Sequence, residues 1–195
     1  MLGMLTIDDL ELRWRERPQA PREHGTVRLI CVRKGEGRHE TPDTVQITPG
    51  LGLVGDRWSQ RGDGKDPDGY SAVTLMNATV AELLTAGRQP LDAPGDNLQV
   101  DLDISVDALP AGTRLRAGTA VLEVSAQPHT GCSTFSGKFG LDALKWVSTP
   151  EGRQRRLRGV NCAVISEGQV RIGDPVEVIE RATPRAEPTE DSSSA

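Results

Sequence analysis

The sequence predicts a mainly β protein with a few short helices, its strands closed into a barrel or packed as a sandwich. Three observations carry this reading. Apolar runs are short and are separated by turn residues, with 21 glycines and 13 prolines in 195 residues. Few segments show helical periodicity. Aromatic residues make up only 3% of the chain, so the core must be built mostly from Val, Leu, Ile and Ala.

The elements follow in order. Ile7 to Arg17 reads as a short amphipathic helix with Leu10 and Trp14 on one face, able to pack on the domain or on a partner. Pro18 to Gly25 is a linker. Val27 to Arg33 and Val45 to Ile47 are strand candidates. Pro49 to Trp58 is rich in glycine but lacks both the strand–GxGxxG–helix setting of a dinucleotide site and the GK[ST] ending of a phosphate loop. Its glycines therefore read as turn or bulge positions, and Asp56 as a turn cap. Ser59 to Gly69 is polar and reads as a mobile loop. Ala72 to Met76 is a short buried strand. Ala78 to Ala86 is a helix with Asn77 as N-cap and Gly87 at its end. Gly95 to Val100 opens a strand. Thr113 to Arg116 and Ala120 to Ala126 are strands on either side of a turn at Gly118. Leu141 to Val147 reads as helical and Arg153 to Arg158 as a basic run. Val160 to Ile165 is a strand, Glu167-Gly168 a hairpin turn and Val176 to Ile179 the last strand. The chain after Arg181 is rich in Pro, Glu and Ser and reads as disordered. The resulting division is an N-terminal helix and linker over 1–25, one domain over 26–180 and a tail over 181–195.

The bulk numbers narrow the function classes. A chain of this length suits one domain with a full core. A formal net charge of -5 disfavours non-specific nucleic-acid binding. No apolar run approaches the roughly 20 residues of a membrane helix, and the N-terminus lacks a signal-peptide core, so a soluble cytoplasmic protein is expected. The three cysteines, Cys31, Cys132 and Cys162, are odd in number and widely spaced, which argues against a disulfide framework and against a cysteine-only metal cluster.

The segment Pro128 to Gly140 holds the chemistry. It places Cys132 beyond a strand, among His129, Ser133, Thr134, Lys138 and glycines. A thiol at the exit of a strand can be reached by a ligand, and nearby cationic or N–H groups favour its reactive thiolate. Cys31 and Cys162 sit inside apolar runs and read as buried structural residues. His129 could tune the thiol or move a proton, or simply contact water. His24 and His39 lack companions and read as surface residues. Arg153, Arg155 and Arg156 read as a solvated face.

Several ordered pieces resemble the MOSC domain, named for the C-terminal domain of molybdenum-cofactor sulfurase. They are Gly52-Leu53-Val54-Gly55-Asp56, Gly95-Asp96-Asn97-Leu98, Leu115-Arg116-Ala117-Gly118, the strand running to Pro128 and Cys132, Arg158-Gly159-Val160, and Gly168 to Val176. The resemblance covers roughly Thr26 to Glu180. It implies a MOSC-like β-barrel and a pocket for the molybdenum cofactor, a molybdopterin. Cys132 would be its metal ligand or would carry sulfur. With the resemblance, Asn97 and Arg158 are expected to contact the cofactor; the local chemistry adds His129 beside Cys132 as a catalytic candidate, and Thr134 and Lys138 as donors to an oxo or phosphate group. Asp96-Asn97 stands where the family often has Arg-Asn or Glu-Asn, and His129-Thr130-Gly131 separates Pro128 from Cys132.

Standalone relatives resemble reductases of N-hydroxylated bases and amidoximes. That implies a small-molecule substrate and a separate redox partner. The alternatives are a sulfur carrier, with a persulfide on Cys132 supplied by a cysteine desulfurase, and a non-catalytic binding module. No pyridoxal phosphate site is expected in this chain, nor a membrane or nucleic-acid partner.

Overall fold

A computed structural model describes residues 4–35, 37–60, 66, 68–131 and 133–183. Seven strands close into a barrel: β1 (His24–Ile30), β6 (Val73–Asn77), β7 (Leu98–Val100), β8 (Arg114–Ala117), β9 (Ala120–Val124), β10 (Val160–Ser166) and β12 (Pro175–Glu180). Their order around the barrel is β1-β12-β8-β9-β10-β6-β7, and β7 returns to β1. All pairs are antiparallel except β6 with β7. A parallel pair needs a crossover, and α2 (Ala78–Thr85) supplies it. Asn77 caps that helix, accepting from the backbone N–H groups of Thr79 and Val80 at 2.9 and 3.4 Å.

Strand β6 joins two cores. Val73 and Leu75 point into the barrel with Ile30, Leu98, Leu115, Leu122 and Val160. Met76 faces the opposite way, into a helical layer with Val80, Leu84, Phe135, Phe139 and Trp146. All five β6 residues are therefore buried.

The helical layer contains α1 (Ile7–Arg15), α2, α3 (Ser133–Phe139), α4 (Leu141–Ser148) and α5 (Pro150–Gln154). Helix α1 packs on the domain. Leu10 is buried, and the Trp14 and Trp146 rings meet edge-on with centroids 6.4 Å apart. Glu11 accepts from Trp146 Nε1 at 3.0 Å and from Arg155 Nη1 at 2.9 Å. Among the described residues, no helix is long and apolar enough to cross a membrane.

Two small sheets flank the barrel: β2 (Val32–Gly35) with β3 (Arg38–Glu40), and β11 (Gly168–Arg171) with β4 (Thr44–Thr48) and β5 (Gly52–Leu53). They account for two departures from the sequence reading. The single strand expected over Val27 to Arg33 breaks at Cys31, whose N–H donates to the Asn97 carbonyl at 2.8 Å while its own carbonyl accepts from the Asn97 side chain at 3.1 Å. Beyond the break the chain turns into the β2–β3 hairpin. The expected Glu167-Gly168 hairpin is also absent, because β11 leaves β10 and pairs with β4. Gly168 crosses so close to the Thr119–Ala120 backbone that a Cβ would overlap it.

The third departure is α3, which occupies a stretch read as loop. Phe135 and Phe139, one turn apart, bury their rings 4.9 Å from each other, and that packing holds the helix. The expected disordered tail from 184 onward, and much of the expected mobile loop (61–65 and 67), lie outside the described residues.

Candidate functional site

Helix α3, the β2–β3 hairpin, the loop at Pro94-Gly95 and a single 3-10 turn at Arg57–Gln60 enclose a cavity of about 500 Å³. Arg33, Arg57, Lys138 and Arg158 line it, and none of its described lining residues is acidic. The helical period explains the α3 contribution: Thr134 and Lys138 lie one turn apart, as do Phe135 and Phe139, and all four reach the cavity.

The cations are held from behind. Arg33 forms a two-pronged pair with the buried carboxylate of Asp56, Nη2 to Oδ1 at 2.9 Å and Nε to Oδ2 at 3.0 Å. Burial opposes the Asp56 charge, but the Arg33 guanidinium and the N–H groups of Arg33 and Trp58 outweigh it and hold the carboxyl below its ordinary pKa. Arg158 Nη1 donates to Asp96 Oδ2 at 2.8 Å, and its guanidinium lies over the Phe135 ring at 5.2 Å. Lys138 Nζ donates to the Ala93 carbonyl at 3.0 Å. Four cations against three recessed carboxylates, Asp56, Asp96 and the Asp92 behind His39, leave the cavity positive, as an anionic ligand requires.

Asn97 sits behind this wall, fully buried, and not on it. Its Oδ1 accepts from Arg33 Nη2, Thr74 N and Thr74 Oγ1 at 3.1–3.2 Å. Its Nδ2 donates to the Cys31 carbonyl and to Asp56 Oδ2, both at 3.1 Å. Asn97, expected as a cofactor contact, has its amide engaged in orienting Arg33 and does not line the cavity. Asp56 likewise proves to be more than a turn cap.

His129 borders a neighbouring cavity of about 240 Å³, lined also by Pro128, Thr130, Arg153 and Arg156; Arg158 contributes to both cavities. His129 Nδ1 lies 3.4 Å from Asp96 Oδ1, yet neither atom has a hydrogen-bond partner, and Arg158 Nε is also buried without one. Burial lowers the imidazole pKa to about 4; Asp96 resists this, while Arg158 and Arg33 reinforce it. The contact is therefore between a neutral imidazole and a carboxylate at neutral pH. Gly159, at φ +102°, makes room for it: a Cβ there would stand 2.5 Å from the Leu75 carbonyl and 3.2 Å from His129 Nδ1.

Of the residues selected from sequence, Thr134, Lys138 and Arg158 meet on one wall, His129 stands next to it across Arg158, and Asn97 lies behind. Cys132 lies outside the described residues. Arg33 and Arg57 were not foreseen; their signal was the Gly55-Asp56-Arg57 step, whose aspartate, in the loop after β5, collects Arg33 from β2. His39 is not a surface residue. Its Nδ1 lies 3.0 Å from Asp92 Oδ2, and it lines the cavity. Arg155 and Arg156 do not form a solvated face: Arg155 binds Glu11, and Arg156 donates to the Leu109 carbonyl at 2.6 Å. Cys31 and Cys162 are buried, and burial first of all pushes both thiols up to about 12.

The fold is shared with solved structures of low sequence identity. The YuaD protein from Bacillus subtilis superposes with a TM-score of 0.59 at 16% identity, covering 80% of this chain and 95% of that one. YiiM from Escherichia coli gives 0.56 at 19%, covering 81% and 71%. YiiM from Geobacillus stearothermophilus gives 0.56 at 22%, covering 80% and 76%. No curated protein matches the chain in sequence. The family model for the MOSC domain matches residues 70–177, more than half of the chain and the span that contains β6 to β10, α3 and Arg158. This chain belongs to the MOSC domain family.

Proposed function

We propose that the positive cavity holds the anionic part of a molybdenum–pterin cofactor, that Cys132 is the metal ligand, and that the protein is the cofactor-bearing component of a reductase for N-hydroxylated substrates. The observation that carries this reading is the wall of Arg33, Arg57, Lys138 and Arg158, without a described carboxylate, in a family associated with that cofactor. The residues fit such a group. Fixed guanidinium forks suit phosphate oxygens, Thr134 adds a hydroxyl, and Cys132 lies two residues before Thr134 in sequence.

When bound, the cofactor supplies two-electron chemistry at a metal whose soft thiolate ligand only a cysteine can provide here. The chain's own residues bind and orient. Asp56 and Asn97 fix the Arg33 fork. Asp96 fixes Arg158 between the two cavities. His129, neutral and 3.4 Å from Asp96 Oδ1, borders the neighbouring cavity next to Arg158. Reduction of an N–OH group consumes two electrons and two protons, replaces the hydroxyl on nitrogen with hydrogen and releases water. The electrons would come from a separate redox partner.

The test is turnover. Protein from a cofactor-competent host, reduced by a viologen dye, should convert an N-hydroxylated purine to its aminopurine or an amidoxime to its amidine, and Cys132→Ser should not. A metal-free protein bearing a sulfane-sulfur adduct on Cys132 by mass spectrometry would instead support sulfur carriage. Unchanged turnover in Cys132→Ser would remove Cys132 from the mechanism.

A further inference from the structure

Beside the positive cavity, three side chains from distant parts of the chain converge. Cys31 lies at the break between β1 and β2, His39 on β3, and Asp92 in the connection from α2 to β7. One ligand atom from each, the thiol sulfur, an imidazole nitrogen and a carboxylate oxygen, lies within 4.8 Å of the other two. Cys31 is fully buried, whereas the side chains of His39 and Asp92 keep 11% and 20% exposure, so the cluster has a closed floor and an open rim. His39 also lines the cavity, which gives the rim an entry path.

We propose that Cys31, His39 and Asp92 form a mononuclear site for a divalent zinc-type cation, distinct from Cys132. Tetrahedral zinc with bonds of about 2.0–2.3 Å to these donors brings ligand atoms to about 3.3–3.5 Å from one another, a contraction of up to about 1.5 Å from separations that lie within 4.8 Å. The mixed S, N, O donor set selects zinc, cobalt or nickel over magnesium or calcium, which take oxygen. Thiolate and carboxylate together balance the ion's two positive charges. Binding replaces the Cys31 thiol proton with the metal, and the proton leaves to buffer. Three protein ligands leave a fourth position for water or an anion at the cavity wall. The site stands whether or not Cys132 holds molybdenum.

Cobalt(II) tests it. The full-length protein carrying Cys132→Ser, reduced and stripped with chelator, is titrated with Co²⁺. One equivalent should produce a thiolate-to-cobalt charge-transfer band in the near ultraviolet with tetrahedral visible bands, and Zn²⁺ should abolish them. Cys31→Ser, added to that background, should lose the charge-transfer band. Because Cys31 is a core position, His39→Gln and Asp92→Asn provide independent variants; each should weaken Co²⁺ binding at least about tenfold with the far-ultraviolet circular dichroism unchanged. No stoichiometric band in the Cys132→Ser protein, or a band that survives in Cys31→Ser, would overturn the assignment and leave a His39–Asp92 hydrogen bond over a packed thiol.

Discussion

His129 makes the domain acid-sensitive in a defined window. Its pKa stands at about 4 in the folded protein, because burial strips the imidazolium of water; Asp96 opposes this, and the Arg158 and Arg33 guanidiniums add to it. The unfolded chain takes up a proton at the ordinary value of about 6.5. Between these two values the unfolded state binds more protons than the folded one, so stability falls as pH falls from 6.5 to about 4, and the contribution is flat above 6.5. Two and a half pH units at about 1.4 kcal/mol each give a loss of about 3 kcal/mol. The perturbation is His129→Gln, which keeps the size and removes the titration. Urea unfolding followed by tryptophan fluorescence at pH 7, 5.5 and 4 gives the free energies. The wild type should lose about 3 kcal/mol more than the variant between pH 7 and pH 4. Parallel pH profiles for the two proteins, or an NMR titration placing the imidazole near 6.5, would show that burial of His129 does not set the acid sensitivity.

Other predictions concern the supports of the cavity. Asn97→Ala removes the partners of the Thr74 N–H and the Cys31 carbonyl, two buried groups, and should cost about 3–5 kcal/mol of unfolding free energy in urea melts; a loss under about 1 kcal/mol would mean that water replaces the amide. Gly159→Ala should cost at least about 2 kcal/mol, since its backbone is left-handed and the Leu75 carbonyl in its way is fixed by the pairing of Leu75 with Val160. A melting temperature equal to wild type would show that the strand gives way.

What was legible in the sequence was local. Asn77 before an apolar helix, and the short β-branched runs between glycine turns, announce α2 and the barrel strands directly. Helix α3 was hidden because Gly137 and three hydroxyl residues argue against a helix, and only the burial of Phe135 and Phe139 decides otherwise. The hairpin expected at Glu167-Gly168 has the right turn chemistry, but β11 finds its partner in β4, more than a hundred residues earlier in the chain. The cavity wall illustrates the same limit. Thr134, Lys138 and Arg158 were visible from their place near Cys132 and Val160. Arg33 and Asp56 are 23 residues apart and look like solvated charges until closure of the barrel buries them together. Asn97 was singled out as a polar contact for the cofactor; in the fold its amide supports the wall from behind.

In the proposed function, the positive cavity together with Cys132 holds a molybdenum–pterin cofactor. Elemental analysis of molybdenum in protein from a cofactor-competent host, alongside Cys132→Ser and Lys138→Glu, tests it most directly. About one molybdenum per wild-type chain, lost in Cys132→Ser and reduced in Lys138→Glu, is the predicted result. A wild-type protein without molybdenum, or one whose molybdenum is indifferent to Cys132, would contradict it.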